Sequence, residues 1–358
     1  MRILVHEFVS GGGLAGRDVV TSLAREGLAM LTALIADLTA IHCHQIVTTI
    51  DPRFALPTPP GVEVVTLSPG SEGSATLDAL IASADAVWLV APETNRCLER
   101  LAARVERRGR TLLGSGAMAV RRASDKARLP RRLSRHGVPH PKTRVLRPGA
   151  DWAKAAREVG FPVVVKPARG AGCNGVCLAR SARELRDALD VTRRATGRES
   201  LLLQRYVMGT AASVSLLTNG RRAVALTVNA QSVRASTPFS YRGGKTPLDH
   251  PLAGKAVETA LRTCQALPGL RGYVGVDLVL TDSEAVVIEV NPRLTTAYLG
   301  VCSALGGNDI GDVGNVAAMA LAACAGTLPV PPPARRSVRF TGAGVIHSMT
   351  PYSFPLRP

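Results

Sequence analysis

Aromatic side chains are scarce in this chain, 4% of 358 residues, so little is available to build a base-stacking surface for single-stranded nucleic acid. Long apolar runs are missing as well. A membrane span needs roughly 18 consecutive apolar residues, and the nearest approach, 313–330, is interrupted by Gly, Asn and Pro; a buried helix is expected there. The opening segment MRILVHEFVSGGG has neither a basic region followed by a long apolar stretch nor a small-residue cleavage site, so it is not expected to be a signal peptide. Seven cysteines are an odd number without any C-x-x-C pair, and Cys173 and Cys177 have no partner cluster that would make a zinc site. Reduced thiols in a cytoplasmic protein are the expectation. Acidic residues are also few, 27 against 44 Lys and Arg, for a net charge of +17.

The composition that remains is globular, with 46% hydrophobic and 20% charged residues, and the length predicts two or three lobes rather than one core. The positive field favours anionic partners: phosphates, polycarboxylates, nucleic acid or anionic lipid. Basic residues concentrate between Arg96 and Arg135, but Arg100, Arg104, Arg107 and Arg108 recur at helical spacing, as on a solvated helix face. No helix-turn-helix, zinc-finger or RNP signature accompanies the charge. A basic nucleic-acid-binding protein stays open as a reading of the charge, which by itself decides nothing.

Along the first third, apolar runs alternate with helical patterns. Strands are predicted at Ile3–Phe8, Gln45–Ile50, Val62–Leu67, Ala86–Ala91 and Thr111–Leu113, with helices at Asp18–Leu38 and Leu98–Arg108. Such alternation implies a parallel α/β sheet, placed at residues 1–115. A helix is predicted from Ala117 to His136, stopped by Gly137-Val138-Pro139. Beyond it the pattern predicts a helix at Asp151–Val159, the strand Phe161–Lys166, a glycine loop, the strand Val176–Leu178, the helix Ala182–Thr196 and the strand Leu201–Gln204. The remainder reads mainly as antiparallel strands, at Ser213–Leu217, Ala223–Ala230, Val274–Leu280 and Ala285–Asn291, with helices at Gly254–Ala266 and near Val313–Ala325. The fold class is therefore α/β, passing into α+β in the C-terminal part, with lobes at 1–115, 116–200 and 201–358.

Two constellations carry chemistry. In the first, the β-branched strand Val163-Val164-Val165-Lys166 opens into a loop holding Gly170, Gly172 and Gly175 and then re-enters a strand at Val176. Glycines let backbone N–H groups approach anionic oxygens, and Lys166 adds a point charge beside them. A plain hairpin loop would look the same. In the second, two apolar strands flank the turn Thr281–Glu284. If that turn sets Thr281 opposite Ala285, Asp277 lies opposite Glu289, and Asn291 shares their face because side chains alternate with period two. Two carboxylates and an amide among Val and Ile are costly to bury unless they bind a cation. Oxygen ligands of this kind suit Mg²⁺, which completes its shell with phosphates and water. A polar surface face is the alternative.

Taken together, these segments resemble the ATP-grasp superfamily. The resemblance runs over about residues 1–330 through Ser124-Asp125-Lys126, Gly137-Val138-Pro139-His140-Pro141, the Lys166 loop, Leu201-Leu202-Leu203-Gln204-Arg205-Tyr206-Val207-Met208-Gly209, Asp277 and Glu289-Val290-Asn291-Pro292-Arg293. It implies an N-terminal Rossmann-like lobe and two α+β lobes gripping ATP. Lys126 and Lys166 would contact the phosphates, with Gly170–Gly175 as the loop over them. Gln204 to Val207 would be the adenine hinge, Tyr206 included, with the backbones of Arg205 and Val207 facing the base. Asp277, Glu289 and Asn291 would hold Mg²⁺, for which Mn²⁺ can substitute, and Arg293 would act with Lys166 on the acyl phosphate. The implied reaction is ATP-dependent ligation of a carboxylate to an amine. The pattern departs from the family at the hinge, where Gln204 stands in place of Glu, and at Ala211 and Ala212, near where a ribose-binding Glu is usual.

Within the superfamily the chain is similar to the tyramine–glutamate ligase group of methanofuran and methylofuran biosynthesis. The similarity rests on Glu7-Phe8-Val9-Ser10-Gly11-Gly12-Gly13, on Asn229-Ala230-Gln231-Ser232 and on Tyr241-Arg242-Gly243-Gly244-Lys245-Thr246-Pro247. Gly11–Gly13 also reads as a mere strand-to-helix turn, and Tyr241–Pro247 as a flexible loop. Arg234, Tyr241, Arg242 and Lys245 are candidate substrate residues, because an acidic substrate must approach between hinge and metal strands. The implied partners are a small-molecule amine and a glutamate-type acid, with neither nucleic acid nor membrane, and a homodimer is compatible. His6, His42, His44, His136, His140 and His250 form no metal spacing with the acids and read as structural.

Overall fold

The protein is described here by a computed structural model covering residues 1–197, 200–306 and 313–351. Its N-terminal part builds β1 (Arg2–Glu7), α1 (Thr21–Thr39), β2 (Gln45–Ile50), β3 (Glu63–Thr66), α2 (Gly70–Ser83), β4 (Ala86–Val90), α3 (Cys97–Arg107) and β5 (Thr111–Leu112). The strands form a wholly parallel sheet in the order β3-β2-β1-β4-β5. Helix α2 is an addition to the sequence reading. Its first turn is Gly- and Ser-rich and looks like a loop; Leu77 and Ile81, with Leu80, pack it under the sheet, and Arg104 and Arg108 bind its Asp78. Val9–Gly13 forms a tight helical turn straight after β1, so the three glycines do turn the chain at the carboxyl edge of the sheet, where α/β folds place ligands.

The single helix expected from Ala117 to His136 is two helices, α4 (Ala117–Ser124) and α5 (Leu129–Arg135). Asp125 and Lys126 lie in the break, and Asp125 N-terminally supports the second helix through Arg128 N–H at 3.2 Å. Both helices bury Ala119, Ala123, Leu129 and Leu133 in one core with the later antiparallel strands. The break sets the Lys126 side chain inward rather than along a helix face.

Next come β6 (Thr143–Leu146), α6 (Trp152–Val159), β7 (Val163–Pro167), β8 (Cys177–Ala179), α7 (Ala182–Thr196) and β9 (Leu201–Arg205). Four of these are strands, in the order β6-β9-β7-β8. Helix α7 is capped by Ser181, which accepts Glu184 N–H at 3.2 Å, while Glu184 in turn takes the Arg180 N–H at 3.0 Å. It buries Leu185, Ala188 and Leu189 on this sheet; each buried leucine contributes about 1.5–3 kcal/mol.

The third sheet is built from β10 (Thr210–Asn219), β11 (Ala223–Arg234), β12 (Ser240–Thr246), α8 (Ala253–Gln265), β13 (Arg271–Leu280), β14 (Ala285–Asn291), α9 (Ala297–Leu305), α10 (Val316–Cys324), β15 (Arg336–Thr341) and β16 (Ile346–Pro351). Its seven strands run β14-β13-β10-β11-β12-β15-β16, all antiparallel. Packing rather than chain order groups the elements: α4 and α5 sit on this last sheet, whereas β9 completes the four-stranded one. Tyr241–Pro247, read as a loop on account of its glycines, is strand β12 up to Thr246. Gly244 is needed there, because a Cβ would come 2.3 Å from the Ala230 carbonyl and 2.8 Å from the Phe340 ring. Helix α10 is buried against α1, as its apolar composition demands. No described helix is long and apolar enough to cross a membrane.

Candidate active site

The four-stranded sheet and the seven-stranded sheet close over a cavity of about 320 Å³, lined from one side by β7, its glycine loop and the segment after β9, and from the other by β11, β13 and β14. Lys126, Lys166, Gly170, Gln204, Arg205, Tyr206, Val207, Asp277 and Glu289 all reach it. These come from five separate stretches of chain, and no short motif joins them.

Hairpin β13–β14 sets the acids. Leu280 pairs with Ala285 and Leu278 with Val287, so the turn is one residue tighter than the simplest reading of it. A bulge at Ile288 then restores the offset, and Asp277 does face Glu289, with Gly275 facing Asn291. The two carboxylates thus meet by a route the sequence does not display. Asn291 Nδ2 donates to Asp277 Oδ2 at 3.0 Å, and Gln231 Nε2 donates to Asp277 Oδ1 at 2.8 Å. Burial, then the neighbouring Glu289 charge, raises the Asp277 carboxyl well above the usual range. A pair of acids under that strain is relieved by a cation. Two carboxylates and an amide oxygen, on rigid paired strands, fit a hard divalent ion such as Mg²⁺. The contact of Gln231 with Asp277 is not readable from the sequence, since it depends on strand order, with β11 three strands away from β14.

The lysines stand beside the acids. Lys126 Nζ lies 3.0 Å from Glu289 Oε1 and donates to the Gly170 carbonyl at 2.8 Å, which ties the break between α4 and α5 to the glycine loop. Lys166 is 4% exposed and its nearest acceptor is the Ile288 carbonyl at 3.5 Å. Burial, and then the charge of Lys126, lowers Lys166 to about 8, against the pull of Glu289 and Asp277. Two buried ammonium groups beside each other await an anion with several oxygens. In the loop itself Gly172 and Gly175 have φ of 66° and 68°, values an L side chain resists. They turn the backbone, while Gly170, Ala171, Cys173 and Asn174 line the cavity. Arg169 carries the loop toward the parallel sheet, 3.8 Å from Glu99 of α3.

At the other end, Gln204 is buried, and its Nε2 donates to Thr143 Oγ1 at 3.0 Å, which leaves the amide oxygen as its free acceptor. The Arg205 N–H is taken by the Lys142 carbonyl at 2.8 Å and the Tyr206 N–H by Pro162 at 3.0 Å. With its N–H taken, the backbone group that Arg205 can turn toward a base is its carbonyl. Val207 N–H has no partner among the described residues, and it is the hinge donor that remains.

Other expected residues stand apart from the cavity. Arg293 is held by Glu93 of the N-terminal lobe through two bonds of 2.9 Å, and its third nitrogen donates to the Leu294 carbonyl. It bridges the lobes at the edge of the site instead of lining it. Arg234, Arg242 and Lys245 are exposed. Arg234 and Lys245 pair with Ser240 and Ala230, on the face of the sheet opposite Gln231 and Val233, so the structure does not bring them to the acids. Tyr241, opposite Val233, is on the site face. Burial, then the Glu26 and Asp277 charges, pushes its hydroxyl above the usual range.

A cavity between two sheets that gathers two lysines, two acids and a glycine loop has the features of a nucleotide-gripping class of protein. A family model described as an ATP-grasp domain matches residues 123–297, and one described as a pre ATP-grasp 3 domain matches residues 44–120. The chain belongs to the ATP-grasp superfamily. A crystal structure described as that of an ATP-grasp superfamily protein from Archaeoglobus fulgidus superposes with a TM-score of 0.68 at 25% identity, over 95% of this chain and 92% of that one. The tyramine–L-glutamate ligase of Methanocaldococcus fervens is 35% identical over 103 residues, 29% of this chain. The D-alanine–D-alanine ligase of Desulforudis audaxviator is 32% identical over 200 residues, 52% of this chain. The chain spans 34% of the length of the first of these ligases and 64% of the second.

Proposed function

We propose that this chain is an ATP- and Mg²⁺-dependent carboxylate–amine ligase that works through an acyl phosphate and joins glutamate to tyramine or tyrosine, or extends a glutamate chain, in methanofuran-type cofactor synthesis. One observation carries the ligase reading: Asp277, Glu289 and Asn291 gather on one hairpin face, at a single cavity that Lys126, Lys166 and the Gln204–Val207 segment also line. Support for the substrate comes from the tyramine–glutamate ligase relative and from the net charge of +17, which suits an acidic substrate.

In this reading Val207 N–H and the Gln204 amide oxygen hold the adenine. Lys126, Lys166 and the loop backbone grip the phosphates and hold them in line with the substrate carboxylate. Asp277, Glu289 and Asn291 would hold Mg²⁺, which when bound would neutralise part of the phosphate charge. Lys166 meets the charge that spreads over the transferred phosphoryl group, in a site largely free of water. Arg293, held by Glu93 at the edge of the site, is the cation that would steady the activated carbonyl oxygen as amine attacks and phosphate leaves.

A dipeptide or other amino-acid ligase is the second reading, favoured by the longer match to a D-alanine–D-alanine ligase. A phosphate-release screen separates them. With Mg-ATP and glutamate, tyramine or tyrosine should stimulate release, and D-alanine with itself should not. Stimulation by D-alanine alone would replace the substrate assignment, and release independent of every amine would remove the ligase reading in favour of phosphorylation.

A further inference from the structure

Strand β11 carries Thr227, Asn229 and Gln231 on one face, since side chains alternate along a strand. The first two are satisfied within the sheet: Thr227 Oγ1 donates to Asn229 Oδ1 at 2.8 Å, and Asn229 Nδ2 donates to Ser215 Oγ at 3.0 Å. Gln231 is the next side chain on that face and the first of the three to line the cavity. Its amide does not stop at the adjoining strand. The sheet runs β13-β10-β11, so Asp277 lies two strands away, about 9.5 Å by the usual strand spacing. The β10 residues along that path are small. Ser213 faces Asp277 in the ladder, and Ala211, two residues before it on the same face, ends in a methyl group. Over them Gln231 Nε2 reaches Asp277 Oδ1 at 2.8 Å. An asparagine, one methylene shorter, would fall short of it.

The other Asp277 oxygen takes Asn291 Nδ2 at 3.0 Å, so the carboxylate is gripped at both oxygens and its plane is fixed. Both of these donors are neutral amides, whereas Glu289 faces the Lys126 ammonium at 3.0 Å. An amide N–H orients a carboxylate without cancelling its charge, and each oxygen that accepts one such bond keeps a second lone pair for a cation. Mg²⁺ demands near-ideal octahedral geometry and tolerates little freedom in its ligands. Residues that hydrogen-bond a metal ligand set its orientation for that purpose. Resting on the metal assignment within the ligase reading above, we propose that Gln231 is a positioning residue for the divalent cation. It holds the Asp277 carboxylate in the plane that Mg²⁺ requires, and itself touches neither metal nor nucleotide. Strand β11 thereby becomes part of the metal site through a side chain that is not a ligand.

Calorimetric titrations with ADP at graded Mg²⁺ concentrations test the assignment, in two variants that separate donation from reach. Gln231→Met keeps the length and loses the donor, whereas Gln231→Asn keeps the amide and loses the reach. In the parent, ADP binding should tighten as Mg²⁺ is added. Each variant should need about 10-fold more Mg²⁺, or higher, for the same tightening, as is usual when a partner behind a metal ligand is lost. ADP affinity in EDTA should stay close to that of the parent, which shows that the fold and the nucleotide cavity are intact. A parent-like Mg²⁺ requirement in either variant overturns the assignment. So does an equal loss of affinity with and without Mg²⁺, which would place Gln231 on the nucleotide. If ADP binding by the parent ignores Mg²⁺, the metal assignment falls and Gln231 has no cation to serve. A normal Mg²⁺ response in the parent with unaltered variants removes the role of Gln231 alone.

Discussion

Asp277 is both the most confined acid of the site and the one whose neighbours are most completely specified. It has Asn291 on one oxygen, Gln231 on the other and Glu289 across the ladder. Removing it empties a strand position without opening the hydrophobic core, so Asp277→Ala should abolish turnover while leaving the unfolding midpoint close to that of the parent. Glu289→Ala should do the same, though it also frees Lys126 from its 3.0 Å partner. Ordinary turnover in either variant would remove the metal assignment. Lys166 stands on different ground, since burial and Lys126 already work against its charge, and a polyphosphate is what would favour it. Lys166→Ala should weaken Mg-ATP binding at least tenfold by titration calorimetry, and unchanged affinity would count against the phosphate reading of the loop.

Between α4 and α5 the chain shows how an element boundary makes a site. A continuous helix would leave Lys126 on a face set by α4; the break turns it toward Gly170 and Glu289. The two short helices persist because each buries leucine or alanine against the seven-stranded sheet. Leu133, 1% exposed, anchors α5, and Leu133→Ala should cost about 2–5 kcal/mol in urea unfolding. Because α5 follows the break directly, the same variant should bind Mg-ATP more weakly. A stability loss with unaltered nucleotide affinity would show that Lys126 is held by the loop alone. Hairpin β13–β14 makes the complementary point. The alternation of Val and Ile revealed two strands and an acid on each, whereas the bulge at Ile288 that aligns those acids left no mark in composition.

On the scale of the whole molecule, two buried groups in the N-terminal lobe respond to pH in opposite senses. Burial, the larger influence, with Arg104 adding, lowers His6 from 6.5 to about 4, so its contribution is present above pH 6.5 and lost as pH falls through about 4. Burial raises Asp37 from 3.8 to about 6, despite donors from Tyr298 and Cys302; its contribution is present below 3.8 and lost as pH rises through about 6. Each shift corresponds to something on the order of 3 kcal/mol. Asp37→Asn should therefore be most destabilised, relative to the parent, near pH 4 and least above pH 6. His6→Gln should show the reverse, gaining on the parent as pH falls. Parallel stability curves for parent and variants, measured by urea unfolding at several pH values, would exclude this account. Asp37 also receives the Asn315 side chain on its backbone carbonyl at 2.8 Å, so α1, α9 and the start of α10 are tied at one point.

Local periodicity, strand punctuation and the order of Lys126, Lys166, Gln204, Asp277, Glu289 and Asn291 along the chain were legible without coordinates, because each depends on neighbours within a few residues. They determined the α/β beginning, the antiparallel end, the glycine loop and the membership of the ATP-grasp superfamily. Contacts between distant elements were not legible. Gln231 meets Asp277 through strand order, Arg293 meets Glu93 across 200 residues, and Glu26 meets Thr296 across 270; Arg234 and Lys245 face away because of register in β11 and β12. Side-chain direction changes completely with a one-residue shift in pairing, and pairing is settled by the packing of whole sheets, so only the tertiary structure could decide which charged residues share the site.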